Sequence, residues 1–186
     1  MHNEFLAMLP HTKLDAEPGV RSHDTIIVPE DMVLERAVAS ALHTGQSVVL
    51  KAGEYQLRAP LIIRGKLNIR TDGGLVSILG TCVLAGGAGA GGHIKGILFV
   101  GQGDDSIRVE SGTWSFHNCS MACSYSARSS SALWVAGGKV SLFACVVGQA
   151  TNGIAACGSA VVEAEMSKIS GAHFGAGAAD SASVNQ

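Results

Sequence analysis

The sequence predicts an all-β solenoid preceded by one amphipathic helix, on three observations. The first is a phrase written three times, at residues 107–119, 133–145 and 154–166. Each copy has an apolar-x-apolar pair, a small turn around Gly, a second apolar alternation and a sulfur-bearing last residue. The starts lie 26 and 21 residues apart, and a period in the twenties built from short strands and glycine turns marks stacked coils. The second is composition: 47% of the 186 residues are hydrophobic, only 5% are aromatic, and 24 are Gly. An interior of Val, Ile, Leu, Ala and Cys in short alternating runs suits narrow stacked strands. The third is that helical periodicity is confined to one stretch before Gly45.

Residues 1–29 contain Pro10, Pro18 and Pro29 and no clear period, so they read as an irregular lead-in with a short strand at Thr25–Val28. Residues 30–44 read as a capping helix. Leu34, Ala37, Val38, Ala41 and Leu42 fall on one face, acids occupy the first turn, and Gly45 stands just past the end. Residues 45–186 form the solenoid. A strand followed by a turn covers 47–55, and further strands are expected at 61–63, 66–70, 76–79, 81–84 and 93–100.

Taking Ile69, Ile94, Phe116 and Leu142 as equivalent inward positions gives steps of 25, 22 and 26 residues. Each step is one turn with three short strands and variable corners. About six or seven coils at ~4.8 Å spacing make a rod of roughly 30 Å. Inward residues stack on like residues above and below, so Cys119 and Cys145 should form a ladder with Met166 near its end. Strict alignment of the phrases places Glu163 inward with Phe116 and Leu142. An unpaired buried carboxylate is costly, so a one-residue slip is expected, with Val162, Ala164 and Met166 inward and Glu163 and Glu165 in solvent.

Composition also narrows function. The formal charge is −2, from 13 basic and 15 acidic residues with no basic block, which counts against nucleic acid as a partner. Residues 1–10 carry an acid and too short an apolar stretch for a signal peptide. No run reaches the apolar length of a membrane span, so no membrane partner is expected. The five cysteines are odd in number and sit mostly at strand positions. Buried reduced thiols in an intracellular, cytoplasmic protein account for them, with no disulfide framework.

One stretch is specific enough to carry a family resemblance. Residues 45–55 read Gly45-Gln-Ser-Val-Val-Leu-Lys-Ala-Gly-Glu-Tyr55 and follow the amphipathic helix directly. Residues 31–74 thereby resemble the opening of a single-stranded right-handed parallel β-helix of the pectin-lyase-like superfamily, in which a helix covers the first coil and a Gly-x-x-Val-x-Leu-x-x-Gly-x-Tyr phrase follows. The likeness extends over roughly residues 25–186. It implies the hand of the coil. It implies no activity, because the superfamily includes lyases, hydrolases and non-catalytic binding domains.

Hydrolytic members place paired Asp residues on the outside of consecutive coils, one acid protonating the leaving oxygen while its partner activates water. Thr71-Asp72-Gly73 and Gly103-Asp104-Asp105 resemble two of the polygalacturonase phrases, with Arg108 as a substrate clamp. Position 70 is Arg where that pattern has Asn, the two Asp sites lie 32 residues apart, and Gly-His-Gly does not follow. Corner Asp residues that satisfy turn amides explain the same residues. A lyase reading would gather Asp104, Asp105 and Glu110 around calcium, with Arg108 as the base; a solvated corner is the favoured reading of the same residues. Residues 87–92 match Gly-x-Gly-x-x-Gly, but a strand follows where a phosphate cradle needs a helix. His117, Cys119 and Cys123 suggest zinc by proximity, yet adjacent strand residues face opposite ways. No metal and no cofactor are expected.

Two features favour contact over chemistry. Residues 120–132 hold the extra length of their coil and should protrude as a polar corner, offering Tyr125, Arg128, Ser129 and Ser130 for binding. The last coil, residues 174–184, is rich in small residues and leaves strand edges open to self-association or continuation of the rod. The expected function is a non-enzymatic protein-binding or scaffolding module, resembling the non-catalytic repeat domains of F-box and Shc-binding adaptors. The alternatives are a polysaccharide-active enzyme using Asp72, Asp104 and Asp105, and a structural subunit joined through its C-terminal coil.

Overall fold

The computed structural model describes residues 24–29, 32–103, 105–124 and 130–185. Three parallel sheets wind into a right-handed β-solenoid of about seven turns. The first sheet stacks β1 (Thr25–Val28), β2 (Ser47–Leu50), β5 (Ile69–Thr71), β8 (Gly91–Lys95), β11 (Thr113–His117), β14 (Lys139–Phe143), β17 (Val161–Glu165) and β20 (Ser183–Asn185). The second stacks β3 (Gly53–Gln56), β6 (Val76–Leu79), β9 (Ile97–Gly101), β12 (Ser120–Cys123), β15 (Val146–Val147) and β18 (Lys168–Ile169). The third stacks β4 (Leu61–Arg64), β7 (Cys82–Ala85), β10 (Ile107–Val109), β13 (Ser131–Val135), β16 (Asn152–Ala156) and β19 (Phe174–Ala178).

The strands are short because the chain must turn a corner every few residues. Between the first and second sheets the corner is a column of left-handed residues: Gly96, Asn118, Ala144 and Met166, with φ of 78°, 51°, 51° and 52°. Gly and Asn tolerate this region, whereas Ala and Met are strained there by about 1–2 kcal/mol each. Gly96 divides the run 93–100, expected as one strand, into β8 and β9. The second sheet also takes in Gly53–Gln56, which the sequence suggested as a turn.

Helix α1 spans Leu34–Thr44 and buries Leu34, Ala37, Val38 and Ala41 against β1, β2 and β4. It starts later than the expected boundary because Val33, extended at φ −68° and ψ 154°, is the N-cap and offers no side-chain acceptor. Gly45 ends it at φ 76°, donating its N–H to the Ala41 carbonyl. Among the described residues no helix is long and apolar enough to cross a membrane.

Inside, Ile69, Ile94, Phe116 and Leu142 pair in register, one above another, as the steps of the sequence place them. Ala164 follows Leu142, so the slip is real: Val162 is buried and Glu163 points outward. Met166 departs from expectation. It occupies the left-handed corner and is 77% exposed, while Ser167 takes the rung after Cys145 and accepts its N–H at 3.0 Å. The final third-sheet strand is also offset, with Ala176 rather than Phe174 following Ile154. Phe99 and Phe116 meet edge to face at 6.5 Å between centroids, joining the second and first sheets across the core.

Candidate functional site

Two of the acids raised by the sequence, Asp72 and Asp105, are braces between coils. Asp72 stands at the corner after β5, its Oδ2 2.6 Å from Lys51 Nζ at the same corner one coil earlier. The hydrogen bond and charge of Lys51 hold this carboxyl below its usual range. Asp105 stands at the corner before β10. Its Oδ1 accepts the Ser131 N–H at 2.7 Å, and its backbone carbonyl accepts the Thr81 hydroxyl at 2.8 Å, so one residue ties three consecutive coils. Arg108 on β10 lays its guanidinium 4.7 Å from the Trp134 ring centroid, with Nε 4.0 Å from Asp105 Oδ2.

Asp72 and Asp105 therefore mark different corners, separated by a second-sheet strand of four or five residues, or roughly 13–16 Å at ~3.3 Å per residue. Carboxylate pairs of glycosidases stand about 5–9.5 Å apart, and these two do not form such a pair. Glu110 leaves β10 at the end opposite Asp105, so the acids suggested for calcium are not one cluster. Asp104 lies outside the described residues.

Tyr125, Arg128 and Ser129 also lie outside the described residues. Ser130 does not protrude as expected. It is 2% exposed, and its hydroxyl lies 3.5 Å from that of Thr151 one coil later. His117 faces outward, while Cys119 and Cys123 are buried, so these three do not converge. Burial pushes the Cys82 thiol up to about 12 and Cys145 up to about 11. Cys119 is raised further, by burial and then by the neighbouring Cys145. All three stay protonated and unreactive at neutral pH.

The glycine loop at 86–92 runs straight into β8, as the sequence indicates. Gly91 and Gly92 adopt φ of 155° and 153°, and a Cβ on either would strike the backbone carbonyl of Thr113 or Leu67 respectively. Their close approach lets the loop fold back beside a groove of about 670 Å³, which Lys66, Asn68, His93 and Thr113 help to line. Asn68 Oδ1 accepts the His93 N–H at 3.0 Å across the neighbouring coil.

What the coil brings together most densely is the outer wall of the first sheet. One outward column runs Arg70, Lys95, His117, Phe143 and Glu165 on successive strands. The next runs His93, Ser115, Ser141 and Glu163. His93 Nδ1 and the Ser115 hydroxyl are hydrogen-bonded at 2.5 Å, His93 and His117 rings lie 6.4 Å apart, and His117 leans on Phe143 at 5.7 Å. Burial first, then the charges of His93 and Lys95, depress the His117 pKa. Toward the C-terminal coils a second hollow of about 420 Å³ lies among His117, Phe143, Glu163, Glu165 and Asn185. Glu163, which helps to line it, forms an ion pair with Lys139 at 2.8 Å.

The sequence alone gives His93 no role, and raises His117 only as a zinc candidate with Cys119 and Cys123 before setting it on the surface. The signal was present: the steps that equate Ile94 with Phe116 and Leu142 also set His93 beside Ser115 and Lys95 beside His117. Fold and wall together define a right-handed parallel β-solenoid with a charge-graded outer face. No protein-family model, no curated protein and no solved structure matches the chain.

Proposed function

We propose that the chain is a non-enzymatic protein-binding or scaffolding module whose contact surface is the outer wall of the first sheet. The observation that carries this reading is the gradient along one rigid face, from Arg70 and Lys95 through His117 and the exposed Phe143 to Glu165. A wall of paired strands is already ordered, so a partner meets it without the entropy loss of fixing loops. Its charges give orientation, and its aromatic centre gives an anchor from which water is excluded. Asp72 and Asp105, engaged with Lys51 and Ser131, support contact over acid catalysis. Tyr55, the last residue of the 45–55 phrase, brings its hydroxyl to the Val28 and Lys51 carbonyls at 2.9 and 2.8 Å, which secures the first coil as a platform.

The test is comparative capture from the native source with the full chain. Wild type, Phe143→Ala and a third-sheet control, Ile62→Ser, serve as baits. Partners lost at least roughly tenfold with Phe143→Ala and retained with Ile62→Ser are expected. Equal capture by all three baits, or turnover of an acidic polysaccharide by the wild type that Asp105→Asn abolishes, overturns the reading.

A further inference from the structure

We propose that the first-sheet wall is self-complementary and that its occupant is a second copy of this chain. The inference rests on reading that wall as a contact surface and goes further by naming the partner. The charge gradient has a centre: cations stand on β5 and β8, acids on β17, and His117 and Phe143 lie between them on β11 and β14. Consider a two-fold axis lying along the strands, between β11 and β14. It reverses the rod but keeps each outward column over itself. Lys95 then meets the partner's Glu165, His117 meets the partner's Phe143, and His93 meets the partner's Glu163, each contact occurring twice.

The other in-plane axis, along the rod, would set cations against cations and acids against acids. Charge therefore selects the antiparallel arrangement. Phe143, 37% exposed, sits next to the axis, where a buried aromatic contributes most. Glu163 is paired with Lys139 inside its own chain at 2.8 Å, so the Lys95–Glu165 contact carries most of the orientation. Four strands at ~4.8 Å spacing and five residues at ~3.3 Å cover roughly 300 Å². Stable complexes bury about 800 Å² per partner, so the association is weak, in the micromolar range or above, and depends on concentration.

Sedimentation velocity of the full chain, from about 1 to 500 μM, tests this, with circular dichroism confirming that each variant is folded. Wild type is expected to self-associate, less so at high salt. Lys95→Glu and Glu165→Lys each oppose like charges at both symmetric contacts and should shift association at least roughly tenfold to higher concentration. An equimolar mixture of the two variants restores unlike charges at both contacts and should associate as wild type does. Wild type that stays monomeric throughout, single variants that associate unchanged, or a mixture no tighter than its components would overturn the proposal. If wild type is monomeric while both variants lose capture of one heterologous protein, the contact surface stands and the second copy is excluded as its occupant.

Discussion

Asp105 accepts the backbone N–H of Ser131 at 2.7 Å, from a corner one coil earlier. By sequence Asp105 is half of an Asp-Asp pair in a solenoid, the pattern of a catalytic acid. In the folded chain its lone pairs serve the next coil. Removing the side chain leaves the Ser131 amide without this acceptor, and Asp105→Ala should cost about 1–3 kcal/mol. Asp105→Asn keeps an acceptor oxygen and should lose less. Urea unfolding of the two variants measures the difference; equal losses would show that the charge, through Arg108, matters more than the acceptor.

Two glycines in one loop should respond in opposite ways. Gly92 has φ 153°, and a Cβ there collides with the Leu67 carbonyl. Gly92→Ala should destabilise by at least about 2 kcal/mol, through backbone strain and displacement of Leu67. At Gly89 an added Cβ meets nothing within 4 Å, so Gly89→Ala should be neutral or stabilise by up to about 1 kcal/mol, by restricting the unfolded chain. Thermal unfolding of both variants decides it.

The cysteines should react in two classes. Cys82, Cys119, Cys123 and Cys145 are buried, and Cys157 is half-buried. A thiol-specific disulfide reagent at neutral pH should label Cys157 in the native state and the other four only after denaturant is added. Rapid native labelling of Cys119 or Cys145, read by peptide mass, would mean that the wall opens locally.

His117 should titrate below an ordinary histidine, because burial and then His93 and Lys95 disfavour its charged form. The sign for stability follows. The unfolded chain takes up this proton more readily, so the contribution of His117 is fully present above the unfolded pKa of ~6.5 and is lost as pH falls through the depressed folded value. NMR titration of the ring at low protein concentration should give a midpoint below 6.5, and His93→Asn should move it upward. A midpoint at or above 6.5 contradicts the packing of His117 against its neighbours.

Much of the coil was legible because burial repeats. Ile69, Ile94, Phe116 and Leu142 stand at the steps their spacing suggests, since a one-residue slip in a strand exposes its whole apolar set. Glu163 was placed outward against the strict repeat, because an unpaired buried carboxylate is costly. Met166 was misplaced because the sulfur at the end of the third phrase resembles Cys119 and Cys145, while the corner column of Gly96, Asn118 and Ala144 has no shared side-chain chemistry. What repeats there is a backbone angle. The break at Gly96 was hidden for the same reason, inside an apolar run that reads as continuous.

By itself, then, the sequence determined the solenoid, its helix and the inward positions Ile69, Ile94, Phe116, Leu142 and Ala164. Hydrophobic periodicity is a local record of burial, and it survives without knowledge of neighbours. Only the tertiary structure decided what the outward residues do. His93, Ser115 and His117 become neighbours, and Asp72 and Asp105 become braces rather than a pair, through register between coils. The spacing of inward residues already implies that register, but which outward side chains bond, pair or pack across it depends on rotamers and corner angles that no pattern of residue types states.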